Sequence, residues 1–192
     1  MSYRNYDSFP QEFFFHDRYN DDPERSFCCS SPYCYRNDGW QDSPHTSQQV
    51  AVSSTTGSAG PLSATTAAVP LVSPSNVVST NISTCRLGTT DNLVSFSGII
   101  TIPAATKATT TTLIFQVLRS SCLGNAVAVG STYTFSVSTT DLTSQSFNFG
   151  FKDNNVAPGT YTYSVQLAAG SVIGVTGTII MNATLNITAT KK

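Results

Sequence analysis

Five cysteines carry most of the reactive chemistry this sequence offers. Three are clustered in Phe27-Cys28-Cys29-Ser30-Ser31-Pro32-Tyr33-Cys34, while Cys85 and Cys122 stand apart downstream. Adjacent cysteines seldom bond to each other, because a disulfide wants Cα atoms about 4.4–6.8 Å apart with suitably directed Cβ atoms. Cys28 and Cys29 are therefore placed to reach other sulfurs. In an oxidising setting an odd count leaves at least one thiol for an intermolecular bond. The other reading of Cys85 and Cys122 is a pair of buried, reduced and inert thiols. Zinc is a poor fit to Cys28, Cys29, Cys34 and His45, since an adjacent pair does not match the C-x₂-C spacing of common zinc modules.

Little else could do chemistry. Both histidines, His16 and His45, lie in the first 46 residues, as does every Glu, so the rest of the chain has only Asp91, Asp141 and Asp153 as acids. General acid–base catalysis needs two titratable groups with separated pKa values, and a serine nucleophile needs a base. Ser120-Ser121-Cys122 has no imidazole to activate it. Asp141 (TTDLTS) and Asp153 (FKDNNV) sit in apparent turns, where Asp bonds its own backbone. One carboxylate in FKDNNV is too few for a tight calcium site. No phosphate-binding glycine loop or dinucleotide fingerprint is present. The expectation is a non-enzyme with no catalytic, cofactor-binding or metal-binding residues. Net charge is −1, and the six cations after Thr46 form no basic stripe, so no nucleic-acid partner is expected. No apolar run is long enough to span a bilayer, and the Phe13–Phe15 run, flanked by Glu12, His16 and Asp17, is no secretory signal. The asparagine sequons at Asn81, Asn182 and Asn186 read as chance in so Asn-, Ser- and Thr-rich a chain.

The elements that position these groups divide into three. Residues 1–46 carry four basic and eight acidic residues and 11 of the 20 aromatics, Trp40 included. With few aliphatic residues and no regular period, this segment cannot build a core and is expected to be a disordered arm, ordered only against a partner. Residues 47–75 are rich in Ser, Thr, Ala, Gly and Pro, a linker composition. From Asn76 to Lys192 the pattern is β. Apolar and hydroxyl residues alternate in TYTFSVS (Tyr133, Phe135, Val137), SFNFGF (Phe147, Phe149, Phe151) and TYTYSVQL (Tyr161, Tyr163, Val165, Leu167). Strict alternation implies antiparallel sheets with one buried and one wet face. Separate strands are expected over 77–80, 93–102, 111–118, 126–130, 133–138, 146–151, 160–167, 173–181 and 183–190, with turns at 123–125, 152–155 and 157–159. The fold class is all-β: an antiparallel β-sandwich, most simply a jelly roll of about eight or nine strands, preceded by a disordered N-terminal arm. An immunoglobulin-like sandwich lacks its Cys…Trp…Cys spacing here.

Several strand patterns carry a resemblance: Leu113-Ile-Phe115-Gln116-Val117, Gly130-Ser-Thr-Tyr133-Thr-Phe135-Ser136, Tyr161-Thr-Tyr163-Ser-Val165 and Ile180-Met-Asn182-Ala-Thr-Leu185. Over about Leu93–Thr190 the chain resembles an uncharacterised family of small β proteins from spore-forming clostridia and their relatives. Its layout also resembles the endospore appendage subunits, in which an arm bearing a Cys-Cys pair precedes a jelly roll and disulfide-links neighbouring subunits. The resemblance implies that Cys28 and Cys29 match that pair, with Cys85 or Cys122 as acceptors. This arm departs from the pattern in being longer, more aromatic and more acidic, and in carrying Cys34. The implied function is a structural, self-assembling protein of the bacterial spore surface (coat, exosporium or appendage), cross-linked by disulfides. It would be made in the mother cell without a signal peptide, with like subunits as partners and other spore-surface proteins reached through the arm. Low charge agrees, because few like charges oppose close packing of identical subunits. A different class is implied by Pro158-Gly159-Thr-Tyr161-Thr-Tyr163, which resembles a strand of trimeric binding modules of the tumour-necrosis-factor or collagen-globular-domain type.

Overall fold

The structure is a computed structural model that describes residues 49–64, 69–70, 74–105, 109–122, 124–169, 172–173 and 177–192. The arm 1–46 lies outside them, and with it Cys28, Cys29 and Cys34. Every described regular element is a β-strand: β1 (Val50–Ala64), β2 (Val69–Pro70), β3 (Ser75–Ser83), β4 (Thr90–Ile102), β5 (Thr109–Ser121), β6 (Val127–Thr139), β7 (Thr143–Val156), β8 (Thr160–Leu167), β9 (Val172–Ile173) and β10 (Gly177–Lys191). One sheet runs β1-β10-β4-β7. In the other, β6 pairs with one side of β5, while β8 and then β3 follow on its other side. The short β9 shares that side of β5 at Thr112 and pairs in turn with β2. All pairings are antiparallel. The strands fill matching ranks of the two sheets: β1 lies over β3, and β6 over β7. This winding is the jelly roll, two Greek keys wrapped into a sandwich.

The alternation places the core. Val94, Phe96, Ile100 and Ile102 of β4, with Met181, Leu185 and Ile187 of β10, face Leu113, Phe115 and Val117 of β5 and Tyr163, Val165 and Leu167 of β8. All are essentially inaccessible, and each such side chain contributes roughly 1.5–3 kcal/mol by leaving water. The residues between them on the strands are mostly Ser, Thr and Asn, which face outward.

Four sequence expectations are corrected. The segment 47–75 is not a linker throughout. Val50–Ala64 pairs with β10 from Val50↔Thr190 to Ala64↔Gly177 and forms an edge of the first sheet, so the domain begins well before Asn76. The inward residues of β1 are small (Ala51, Ser53, Thr55, Gly57, Ala59) because β3 lies close beneath, which is why the segment has a linker's composition. Its register shifts between Ala59 and Leu62, where Pro61 is accommodated at a sheet edge. Second, the runs 126–130 and 133–138 are one strand, β6, irregular at Gly130 with φ 69°. Third, 183–190 continues without a break from Gly177, and only Val172–Ile173 precedes it as a separate strand. Fourth, Lys152–Asn155 is no turn but the end of β7, whose register shifts beside Asn155 at φ 56°.

Candidate functional site

The polar groups of the β body gather at one end of the sandwich. β4 supplies Thr90 and Asn92, β7 supplies Asp153 opposite Asn92, and the facing sheet supplies Arg119 on β5 opposite Tyr163 on β8. All five lie in phase with core residues of their strands, so their side chains enter the sandwich and must find partners there. Thr90 Oγ1 donates to Asn92 Oδ1 at 2.8 Å, and Asn92 Nδ2 donates to the Tyr163 hydroxyl at 2.8 Å. That hydroxyl donates to Asp153 Oδ2 at 2.7 Å, which also accepts from an Arg119 guanidinium nitrogen at 2.6 Å. The Arg119 guanidinium lies 5.5 Å from the centre of the Tyr161 ring. Thr90, Asn92 and Tyr163 are inaccessible.

Burial pushes the Tyr163 phenol well above its usual range, and the neighbouring Asp153 carboxylate adds to the shift. Burial works against the Arg119 charge, but Asp153 beside it raises the guanidinium above its ordinary value on balance. The Tyr163 hydroxyl is sealed from solvent and already engaged by Asn92 and Asp153. What this arrangement can do is tie two sheets together through a satisfied polar chain. Just outside it, Asp91 pairs with Lys152 at 2.8 Å and accepts the Asn155 backbone N–H at 3.0 Å. The bond from Lys152, then that from Asn155, holds the Asp91 carboxyl below its usual range. Lys192 donates to Asn155 Oδ1.

Asp153 therefore sits in a strand, not in the turn that FKDNNV suggests. Asp141 does lie in a turn, where its backbone N–H donates to Thr139 Oγ1 at 3.1 Å. Cys85 and Cys122 leave strands on either side of the start of β8: Ser83 pairs with Thr160, and Ser121 with Tyr161. Buried Thr84 fixes the Cys85 turn, since its N–H donates to Gly159 O at 2.7 Å and its hydroxyl accepts the Gly159 N–H at 3.2 Å. Both Cys85 and Cys122 are disulfide-bonded, so neither is a reduced thiol. Among the described residues no three His, Cys, Asp or Glu side chains converge.

The outer face of the first sheet is a broad surface of mostly uncharged residues. Its cross-strand rows run Thr56–Thr184–Ser97–Asn148, Ser54–Asn186–Ser95–Gly150 and Ser58–Asn182–Ile99–Ser146. Two shallow depressions mark it, one over Gly57 and Gly98 and one over Gly150. Among the described residues, charge on this face gathers at one end, at Asp91, Lys152 and the neighbouring Lys192.

The polar tie escaped sequence reasoning although a signal for it exists. Arg119 keeps the phase of Leu113, Phe115 and Val117, and Asp153 keeps that of Phe147, Phe149 and Phe151. A charged residue in phase with a buried face needs a partner, and opposite charges at strand ends supply one.

Residues 48–190 match a family model described as a domain of unknown function, DUF4489. No functionally curated protein matches the chain. Among solved structures, the CBM22-1 xylan-binding domain of Paenibacillus barcinonensis Xyn10C is similar at 12% identity, over 72% of this chain and 94% of that one, with a TM-score of 0.32. An overlap that slight carries nothing about a ligand for this chain.

Proposed function

The chain belongs to the DUF4489 family, and from that premise we propose that it is a non-enzymatic building block of the bacterial spore surface (coat, exosporium or appendage). Like subunits pack through their faces, and disulfides from the N-terminal arm fix the assembly. The observation that carries this reading is the outer face of the first sheet, four strands wide, where hydroxyl and amide side chains are interspersed with exposed Val52, Leu93 and Ile99 and charge is confined to one end. Such a face opposes the approach of an identical copy with little like-charge repulsion. The buried tie supports it from the other side, because its ionisable groups Tyr163, Asp153 and Arg119 are engaged with one another across the two sheets. In this reading Cys28, Cys29 and Cys34 of the arm are the sulfurs that reach a neighbouring subunit, with Cys85 or Cys122 as acceptors. Synthesis in the mother cell belongs to the same reading.

The test is electrophoresis of natively extracted protein with and without reductant. High-mass ladders that collapse on reduction are expected. A monomer in both lanes contradicts the reading, and a discrete trimer indifferent to reductant points instead to a trimeric jelly-roll binding module.

A further inference from the structure

We infer that the outer edge of β7 is a docking groove for the aromatic segment of the chain's own N-terminal arm, which adds to the first sheet as an extended strand. The inference concerns how one chain covers its own edge and goes beyond the assembly reading. It begins from how the four sheet edges are protected. A long, flat, uncharged edge presents unpaired N–H and C=O groups, which native sheets blunt with charge, proline, bulges or cover. Among the described residues, β1 is broken by a register shift between Ala59 and Leu62. β3 shifts register between Asn76 and Val78, and β6 is twisted at Gly130 with φ 69°. β7 has none of these over most of its length. From Thr143 to Phe151 it contains no charge and no proline, and its register against Ile102–Asn92 runs unbroken to Asp153. Nothing among the described residues pairs with its outer side.

The groove beside that edge is aromatic. Phe147, Phe149 and Phe151 of β7 and Tyr133 of β6 are only partly buried, and Tyr133 stacks on Phe149 with centroids 4.0 Å apart. A strand laid along β7 would set every second side chain against these rings while its backbone completes the ladder, the geometry of strand addition. The segment that fits is Phe13-Phe14-Phe15 with its neighbours, the densest apolar run in an arm that holds 11 of the chain's 20 aromatics. Aromatic pairs gain beyond their buried area, so rings are the suited occupants.

Charge and reach agree. The arm is net negative, with eight acidic against four basic residues, whereas residues 47–192 hold six basic and three acidic. The chain enters β1 at Val50, opposite Thr190, at the end of the sheet where Phe151 lies. Three strand spacings, about 14 Å, separate β1 from β7, a gap that about five extended residues cross. Tethering raises the local concentration of the chain's own arm far above that of any neighbour's.

Residue-resolved amide exchange on the full chain tests this, comparing it with the full chain carrying Phe13→Ser, Phe14→Ser and Phe15→Ser. In an antiparallel edge strand every second amide points away from its partner. Those outward amides of Thr143–Phe151 are expected to exchange about 100-fold slower than unprotected peptide, independently of protein concentration. The triple variant should speed them about tenfold or more while the amides of β4 and β10 keep their rates. Fast exchange in the unaltered chain overturns the inference, as does protection that the variant leaves intact. Protection that grows with concentration assigns the edge to a second copy and overturns it too.

Discussion

Along one seam of the sandwich β1 lies against β3 with almost nothing between the backbones, whereas along the other β6 and β7 are held apart by rings. A Cβ on Gly57 would lie 2.6 Å from Val77 O and 2.8 Å from Val78 Cβ, so only glycine permits that approach. Beside it, the hydroxyls of Ser53 and Thr55 meet Thr80 Oγ1 at 2.7 and 2.9 Å. At the opposite seam Phe149 stacks between Phe96 (4.7 Å, 15°) and Tyr133 (4.0 Å, 9°), and Gly130 leaves room for the Phe151 ring. The difference teaches that a jelly roll can close one side by removing side chains and the other by filling space. The first method gives a shut seam that needs no partner. The second leaves half-buried aromatics beside an unprotected strand edge.

Substitutions should separate the two seams, beginning with the largest effect. Gly57→Val puts carbon into the backbone of β3 and should cost about 3 kcal/mol or more, read as a fall in thermal midpoint of roughly 10 °C. A wild-type midpoint would mean that β1 does not dock as described. Phe149→Ala removes the ring shared by both sheets and should cost about 2–3 kcal/mol, below the figure for a fully buried Phe because this ring is partly exposed. Calorimetry that ranks it above Gly57→Val would reverse the comparison. Gly130→Ala meets the Phe151 ring at 3.0 Å and strains a residue at φ 69°, for about 1–2 kcal/mol.

Between the seams, Tyr163→Phe leaves Asn92 and Asp153 short of a partner and should cost about 1–2 kcal/mol. It should also flatten the alkaline limb of the stability curve. A phenol whose folded pKa is raised contributes stability fully present below its unfolded pKa, about 10, and lost as pH rises above it. Tyr133, raised by burial, titrates in the same direction and keeps part of that slope. The smallest effect is at acid pH. Asp91 is depressed by Lys152 and Asn155, so its stabilisation is present above pH about 4 and fades as pH falls further. Lys152→Met should shrink that acid-side slope in urea titrations from pH 5 to pH 2.

The strands that carry large inward residues were legible, because Phe, Tyr, Val and Leu alternating with Thr and Ser leave one reading of β5, β8 and most of β7. The jelly-roll architecture followed from their number and spacing. β1 was not legible, since a strand that must lie against another backbone carries Ser, Thr, Gly and Ala on its inner face and has the composition of a tether. The polar tie was half legible: Arg119 and Asp153 stand in phase with the core of their strands, but FKDNNV has a turn's composition and drew Asp153 away from β7. That Asn92 would meet Tyr163 was beyond reach, because alternation assigns faces without naming neighbours across the sandwich.

The central claim, that arm sulfurs join one subunit to the next, is tested most directly by mass-spectrometric mapping of disulfides in protein extracted without reductant. Equal mixing of light- and heavy-isotope chains before assembly distinguishes bonds within a chain from bonds between chains. The account predicts mixed-label peptides containing Cys28, Cys29 or Cys34. If those three sulfurs are found free, or bonded only within their own chain, the building-block reading is contradicted.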